Sequence, residues 1–125
     1  MKKILILFVL AVSVLTLSAC GGGGGGSETT LTLTADPSGA PKFDKSSLTA
    51  DAGKITIQLN NPTSTPQNVA IKDQKGKVYG ITNGGKYVTH GTASVTVDLD
   101  AGTYIFYSTQ PGFEQKGMQG TLTVK

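Results

Sequence analysis

The chain has 125 residues with 11 basic and 8 acidic side chains, one histidine and one cysteine, for a formal net charge of +3. Every basic residue is a lysine, the lysines are scattered, and Lys2 and Lys3 supply most of the excess. No basic stripe forms, so a nucleic-acid partner is excluded. One cysteine allows no internal disulfide, and one histidine excludes a three-histidine zinc centre.

At the N-terminus, Lys2 and Lys3 precede an apolar run from Ile4 to Leu17, broken only by Ser13 and Thr16. Ser18 and Ala19 follow, and the whole reads as a secretory signal. At a rise of ~1.5 Å per residue, a run of about 14 residues is shorter than a bilayer core of roughly 30 Å. A permanent transmembrane helix is therefore the weaker reading. The stretch Leu17-Ser18-Ala19-Cys20 resembles the lipobox of bacterial lipoproteins. That resemblance implies cleavage after residue 19 and acylation of Cys20, whose several acyl chains would hold a membrane stably. The expected location is extracytoplasmic, lipid-anchored to the bacterial cell membrane or to an outer membrane. Gly21 stands where an aspartate would favour inner-membrane retention.

Removing Lys2 and Lys3 leaves nine lysines against eight carboxylates, a net charge of +1. The run Gly21–Gly26 cannot pack and reads as a flexible tether. As a phosphate-cradling loop it lacks both the preceding strand and the following helix. The expected organisation is a signal peptide over 1–19, a lipidated cysteine and linker over 20–28, and one domain over 29–125.

Within the domain, period-2 alternation dominates. Leu31 and Leu33, then Ile55, Ile57 and Leu59, alternate with polar residues. Val69 with Ile71, Val95 with Val97 and Leu99, and Leu122 with Val124 repeat the pattern. Turn signals bound each run: Asp36-Pro37-Ser38-Gly39, Asp51-Ala52-Gly53, Asn60-Asn61-Pro62, Lys75-Gly76, Asn83-Gly84-Gly85 and Asp100-Ala101-Gly102. No apolar stripe of helical period is sustained. The expectation is an antiparallel β-sandwich or small barrel. Tyr104, entering a strand just after Gly102, is either a tyrosine corner or a plain core tyrosine.

The segment Gly102–Val124, with Tyr107-Ser108, Pro111-Gly112-Phe113 and Gly117-Met118-Gln119-Gly120, closely resembles the C-terminal signature of cupredoxins, the small blue copper proteins. Phe43–Leu48, Ala52-Gly53 and Ile55–Asn60 resemble the strand pair before the family's first ligand, and Pro66-Gln67-Asn68-Val69 its Pro-His-Asn-Val segment. The resemblance covers nearly the whole domain and implies a Greek-key β-sandwich of about seven to eight strands. It places the family's copper-ligand positions at Gln67, Ser108, Phe113 and Met118. A type 1 centre needs a thiolate and two imidazoles in a plane, with a weak axial thioether. Only Met118 keeps its family identity. No cofactor is expected on this reading. The alternative is a copper-binding electron-transfer protein with an altered or inter-chain site.

The rest of the expectation concerns contact. Pro111, Phe113 and Met118 form a contact patch at the former ligand end, unless Phe113 folds inward and plugs the vacated space. Met118 also reads as core. His90 reads as a solvated loop histidine, with a weak metal site shared with Met118 and Glu114 as the rival. No serine, cysteine or paired-carboxylate arrangement recommends an enzyme. The expected function is a membrane-anchored cupredoxin-like module acting by protein contact with an envelope partner, or as a structural domain.

Overall fold

The computed structural model describes residues 27–125; the expected signal, Cys20 and the glycine run lie outside the described residues. Eight strands follow in order: β1 Ser27–Thr34, β2 Ser47–Ala50, β3 Gly53–Asn61, β4 Ala70–Asp73, β5 Val78–Ile81, β6 Gly91–Leu99, β7 Gly102–Tyr107 and β8 Gln119–Val124. They form two sheets, one ordered β1-β3-β6 and the other β2-β8-β7-β4-β5. The result is the expected Greek-key β-sandwich. No helix among the described residues is long and apolar enough to cross a membrane.

Alternation places the core. Ile55, Ile57 and Leu59 of β3 are all 0 % exposed, while Lys54, Gln58 and Asn60 between them face solvent. From the other sheet Ile71, Phe106, Leu122 and Val124 close on the same interior, with Leu33, Val97 and Leu99 at its flank. Each such aliphatic or aromatic side chain contributes roughly 1.5–3 kcal/mol when fully buried.

Three features depart from the sequence expectation. The pairings of β1 with β3 and of β2 with β8 are parallel, whereas the remaining pairings are antiparallel. Parallel neighbours need a crossover, which here passes between the two sheets, so local alternation does not reveal it. Strand β1 begins at Ser27, two residues before the expected domain start, because Ser27 and Glu28 pair with Gly53 and Lys54. Strand β5 carries no alternation signal; it is an edge strand with Val78 and Tyr79 exposed.

Close packing requires glycine at two positions. A Cβ at Gly120 would lie 2.2 Å from Phe106 Cζ and 2.5 Å from the Ser46 carbonyl. At Gly80 it would lie 2.8 Å from methyl groups of both Val95 and Val97, where β5 rides over β6.

The sandwich has two unlike ends. At one, named the tether end for the linker expected before it, Ser27, Gly53 and Leu99 align in register, and Gly102 pairs with Val124. Tyr104 closes this end: its hydroxyl donates to the Asp100 carbonyl at 2.8 Å, and its ring meets Tyr79 edge-on at 5.4 Å. Of the two readings left open for Tyr104, the tyrosine corner is the one observed. At the other, the loop end, four segments meet: 35–46, 61–69, 82–90 and 108–118.

Candidate functional site

Gln67, Ser108, Phe113 and Met118 all stand at the loop end. Gln67 is held by a two-way backbone bridge with Val88, N to O at 3.1 Å and O to N at 2.9 Å. Ser108 directly follows β7, and its N–H donates to the Met118 carbonyl at 3.1 Å. Met118 in turn donates its N–H to the Phe113 carbonyl at 2.9 Å, closing the 108–118 loop just before β8.

The side chains settle differently. Gln67 and Ser108 are each 1 % exposed, and the Ser108 hydroxyl donates to Gln67 Oε1 at 3.3 Å while accepting the Gln110 N–H at 3.2 Å. Met118 is 0 % exposed and belongs to the core cluster. Its expected place in a surface patch is therefore corrected, because its thioether is spent on interior packing. Phe113 is half-buried and packs against that cluster, while Pro111 is exposed. The geometry agrees with Phe113 filling space beneath the loop, with one edge left at the surface.

Two asparagines organise the surroundings. Asn61 is fully buried; its amide donates to the carbonyls of Thr65 at 2.8 Å and Val88 at 2.6 Å. Its Oδ1 accepts from both the N–H and the hydroxyl of Thr63. Asn68, also buried, donates to the Thr109 hydroxyl at 2.6 Å and accepts the Thr109 N–H at 2.9 Å. One asparagine shapes the 62–66 loop, and the other fastens it to the loop after β7. Buried amides left without such partners would be costly, and here each is satisfied. Sequence reading treated Asn61 only as a turn signal and gave Asn68 no role. Nothing in one sequence separates a buried amide from an exposed one.

Ion pairs hold the rim. Lys72 Nζ contacts Glu114 Oε2 at 2.6 Å and lies 4.3 Å from the Tyr107 ring centroid, clamping the loop onto β4. The Ser38 hydroxyl and N–H, with Lys42 at 3.2 Å, hold the Asp36 carboxyl below its ordinary range. His90 is exposed with φ at 45°, and its N–H donates to the Thr63 carbonyl. Glu114, the carboxylate considered as its metal partner, is engaged by Lys72. Among the described residues no three histidine, cysteine or acidic side chains gather as a metal site. Tyr87, which sequence reading did not single out, is 43 % exposed at this end, and its hydroxyl donates to the Thr109 carbonyl.

A Greek-key sandwich whose long loops converge on residues following β3, β7 and the 109–117 turn is a cupredoxin fold. The chain belongs to the plastocyanin/azurin family of copper-binding proteins, whose family model matches residues 29–125. Among solved structures it is similar to dithionite-reduced auracyanin from Roseiflexus castenholzii, at 23 % identity and a TM-score of 0.68, covering 81 % of this chain and 99 % of that one. It is also similar to auracyanin B, at 22 % identity and a TM-score of 0.66, over 81 % and 96 % of the two chains. Auracyanin A, a blue copper protein from Chloroflexus aurantiacus, gives 21 % identity and a TM-score of 0.68 over 79 % and 100 %. No curated protein matches the sequence.

These findings correct the expectation that no cofactor belongs to this chain. Its family is a copper-binding one and auracyanin A is a blue copper protein, so copper is the cofactor that family membership assigns. The side chains at the four positions that the sequence resemblance assigns to copper ligands do not supply the donors of a type 1 centre, however. Gln67 offers an amide, Ser108 a hydroxyl already bonded to it, and Phe113 no donor atom. No copper chemistry is assigned to those four side chains.

Proposed function

We propose that this chain is an extracytoplasmic cupredoxin module, anchored to a membrane through lipidated Cys20, that acts by protein contact at its loop end. In this reading residues 1–19 are removed as a signal, residues from Cys20 to the start of β1 form the anchor and tether, and the sandwich is not an enzyme. Family members are generally electron carriers rather than enzymes, which supports the last point. One observation carries the proposal. Where the family's thiolate and first imidazole belong, Ser108 and Gln67 hydrogen-bond to each other in a 1 %-exposed interior. Phe113 occupies the second imidazole position and packs against the core. What these substitutions preserve is the shape of the loop end, not its donor set.

The test uses the exported chain in intact cells. Placing a photocrosslinker at Pro111 yields protein adducts, and the same probe at Lys75, at the tether end, yields none; absence of adducts at Pro111 overturns the contact role. Cys20→Ser is expected to move the protein from the membrane fraction to the soluble one, and retention would overturn the anchor. Copper(II) added to the purified protein gives no intense thiolate-to-copper band, and such a band would show that the type 1 donors had been misplaced.

A further inference from the structure

Strand β1 is an edge strand whose only partner in its sheet is β3. The bond from the Ala35 N–H to the Asn60 carbonyl fixes the phase of that parallel ladder. Odd-numbered residues of β1 therefore turn their backbone groups to β3, and even-numbered ones turn theirs outward. Toward the C-terminal end of β1 these outward groups are taken. Thr34 donates its N–H to Asp44 Oδ1 at 2.8 Å, and its carbonyl accepts the Asp44 N–H at 2.9 Å. The Thr32 carbonyl accepts Lys45 Nζ at 2.8 Å, and the same ammonium lies 3.3 Å from Asp44 Oδ2. Among the described residues, no loop or side chain bonds to the outward groups of Glu28 and Thr30. The edge is thus capped in one half and open in the half nearer the tether end.

The sequence of this edge is suited to pairing with itself. Thr29-Thr30-Leu31-Thr32-Leu33-Thr34 has no charge, no glycine and no proline, and every residue in it is threonine or leucine. Such uncharged segments of high strand propensity add readily to one another. Leu31 is only partly buried at the rim of the core, so an antiparallel copy of β1 laid alongside would cover both Leu31 side chains. A two-fold pair of this kind closes on itself. We propose that the outer edge of β1 is a strand-addition site for β1 of a second copy, and that Asp44 and Lys45 hold it shut in the single chain. The carboxylate, amide and ammonium of these two residues make the bonds that a partner strand would make at Thr34 and Thr32. An incoming strand must displace Lys45 and strip water from its ammonium before it can reach the Thr32 carbonyl. The Lys45 side chain is 46 % exposed, so its bonds contribute little to the fold itself. Its effect falls on the competing assembly. The site lies along the side of the sandwich and does not depend on the loop-end contact.

The experiment follows the purified full chain by sedimentation equilibrium in density-matched detergent. Four forms are compared: wild type, Lys45→Ala, Lys45→Arg, and Lys45→Ala combined with Thr30→Pro. Wild type and Lys45→Arg, which keeps a donor for the Thr32 carbonyl, are expected to stay monomeric. Lys45→Ala is expected to dimerise about tenfold more tightly or better. Proline at position 30 costs no bond to β3, because the Thr30 N–H faces outward, and it denies an incoming strand that donor. It is expected to return Lys45→Ala to the monomer. Hydrogen exchange gives a second readout: the Thr30 and Thr32 amides of Lys45→Ala should exchange more slowly as its concentration rises, with an unfolding midpoint in urea equal to that of wild type. A Lys45→Ala chain that stays monomeric at every concentration overturns the proposal. Dimers that survive Thr30→Pro place the contact elsewhere and overturn it too, as does a wild type that pairs as tightly as Lys45→Ala.

Discussion

The loop end is held from within by Asn61, Thr63, Gln67, Asn68, Ser108 and Thr109, none of which ionises, and their amides and hydroxyls bond to one another and to backbone. The tether end is closed by a phenol and carboxylates: Tyr104 on the Asp100 carbonyl, and Asp73 accepting the N–H groups of Lys75 and Lys77 and the hydroxyl of Tyr79. The difference follows from loop length. Turns such as Asp100-Ala101-Gly102 need one bond to fix them. A loop from Pro62 to Val69 crossing a buried interior must satisfy every polar group it brings inside. Fold retention thus relies on the uncharged network where the loops are long, and this network surrounds the positions that the sequence resemblance assigns to copper ligands.

The largest effect is expected where one side chain serves most partners. Asn61→Ala strands two carbonyls and the Thr63 donors in a buried site, at a cost of about 3 kcal/mol. Tyr104→Phe removes one bond at the tether end and keeps the ring, at about 1.5 kcal/mol or less. Urea unfolding of both variants measures the gap between the ends. Equal losses would abolish the distinction drawn between them.

Ser108→Ala sharpens the comparison inside the loop end. It leaves the buried Gln67 Oε1 without its donor and is expected to cost about 1 kcal/mol. Replacing both members of the pair, Gln67→Met with Ser108→Ala, removes that orphan but still leaves the Gln110 N–H without its acceptor, so it is expected to cost no more than Ser108→Ala alone. A double variant as damaged as the sum of its parts would mean that the pair is needed for shape and not only for mutual satisfaction.

Much of the fold was legible in the chain because alternation reports which face of a strand is buried. The runs Ile55–Leu59, Val95–Leu99 and Leu122–Val124 became β3, β6 and β8 with the expected faces inward. Strand β5 escaped notice because an edge strand needs no apolar face, and the two parallel pairings did because crossovers leave no local trace. At the loop end, Gln67, Ser108, Phe113 and Met118 were located by motif spacing. Their neighbours Asn61 and Asn68 were not assigned, since only the folded backbone shows which carbonyls face them. Met118 was expected at the surface as well as in the core; a fully buried thioether in the core cluster has no solvent to reach.

The smallest expected effect separates the ends by pH. Burial, then neighbouring phenol and carboxylate charge, raises Tyr104 above the ordinary phenol value of 10.0; Tyr79 is raised first by burial and then by Asp73. A raised pKa means the folded state holds the proton more tightly, so this contribution is complete below pH 10 and is lost as pH climbs past it. Asp73 behaves oppositely. The Lys77 N–H lowers it below 3.8, so its contribution is present above that value and fades as pH falls below it. The interior of the loop end contains no group that titrates in either direction; Asp36, also lowered, lies outside it on the 36–44 loop. Hydrogen exchange of individual amides across pH should therefore show the tether end loosening first at alkaline pH, with Val69 and Thr109 protected for longer. Tyr104→Phe should flatten the alkaline limb without touching the acid one. Earlier loss of protection at Thr109 than at Tyr104 would mean that the loop end depends on charge after all, through the Lys72–Glu114 clamp at its rim.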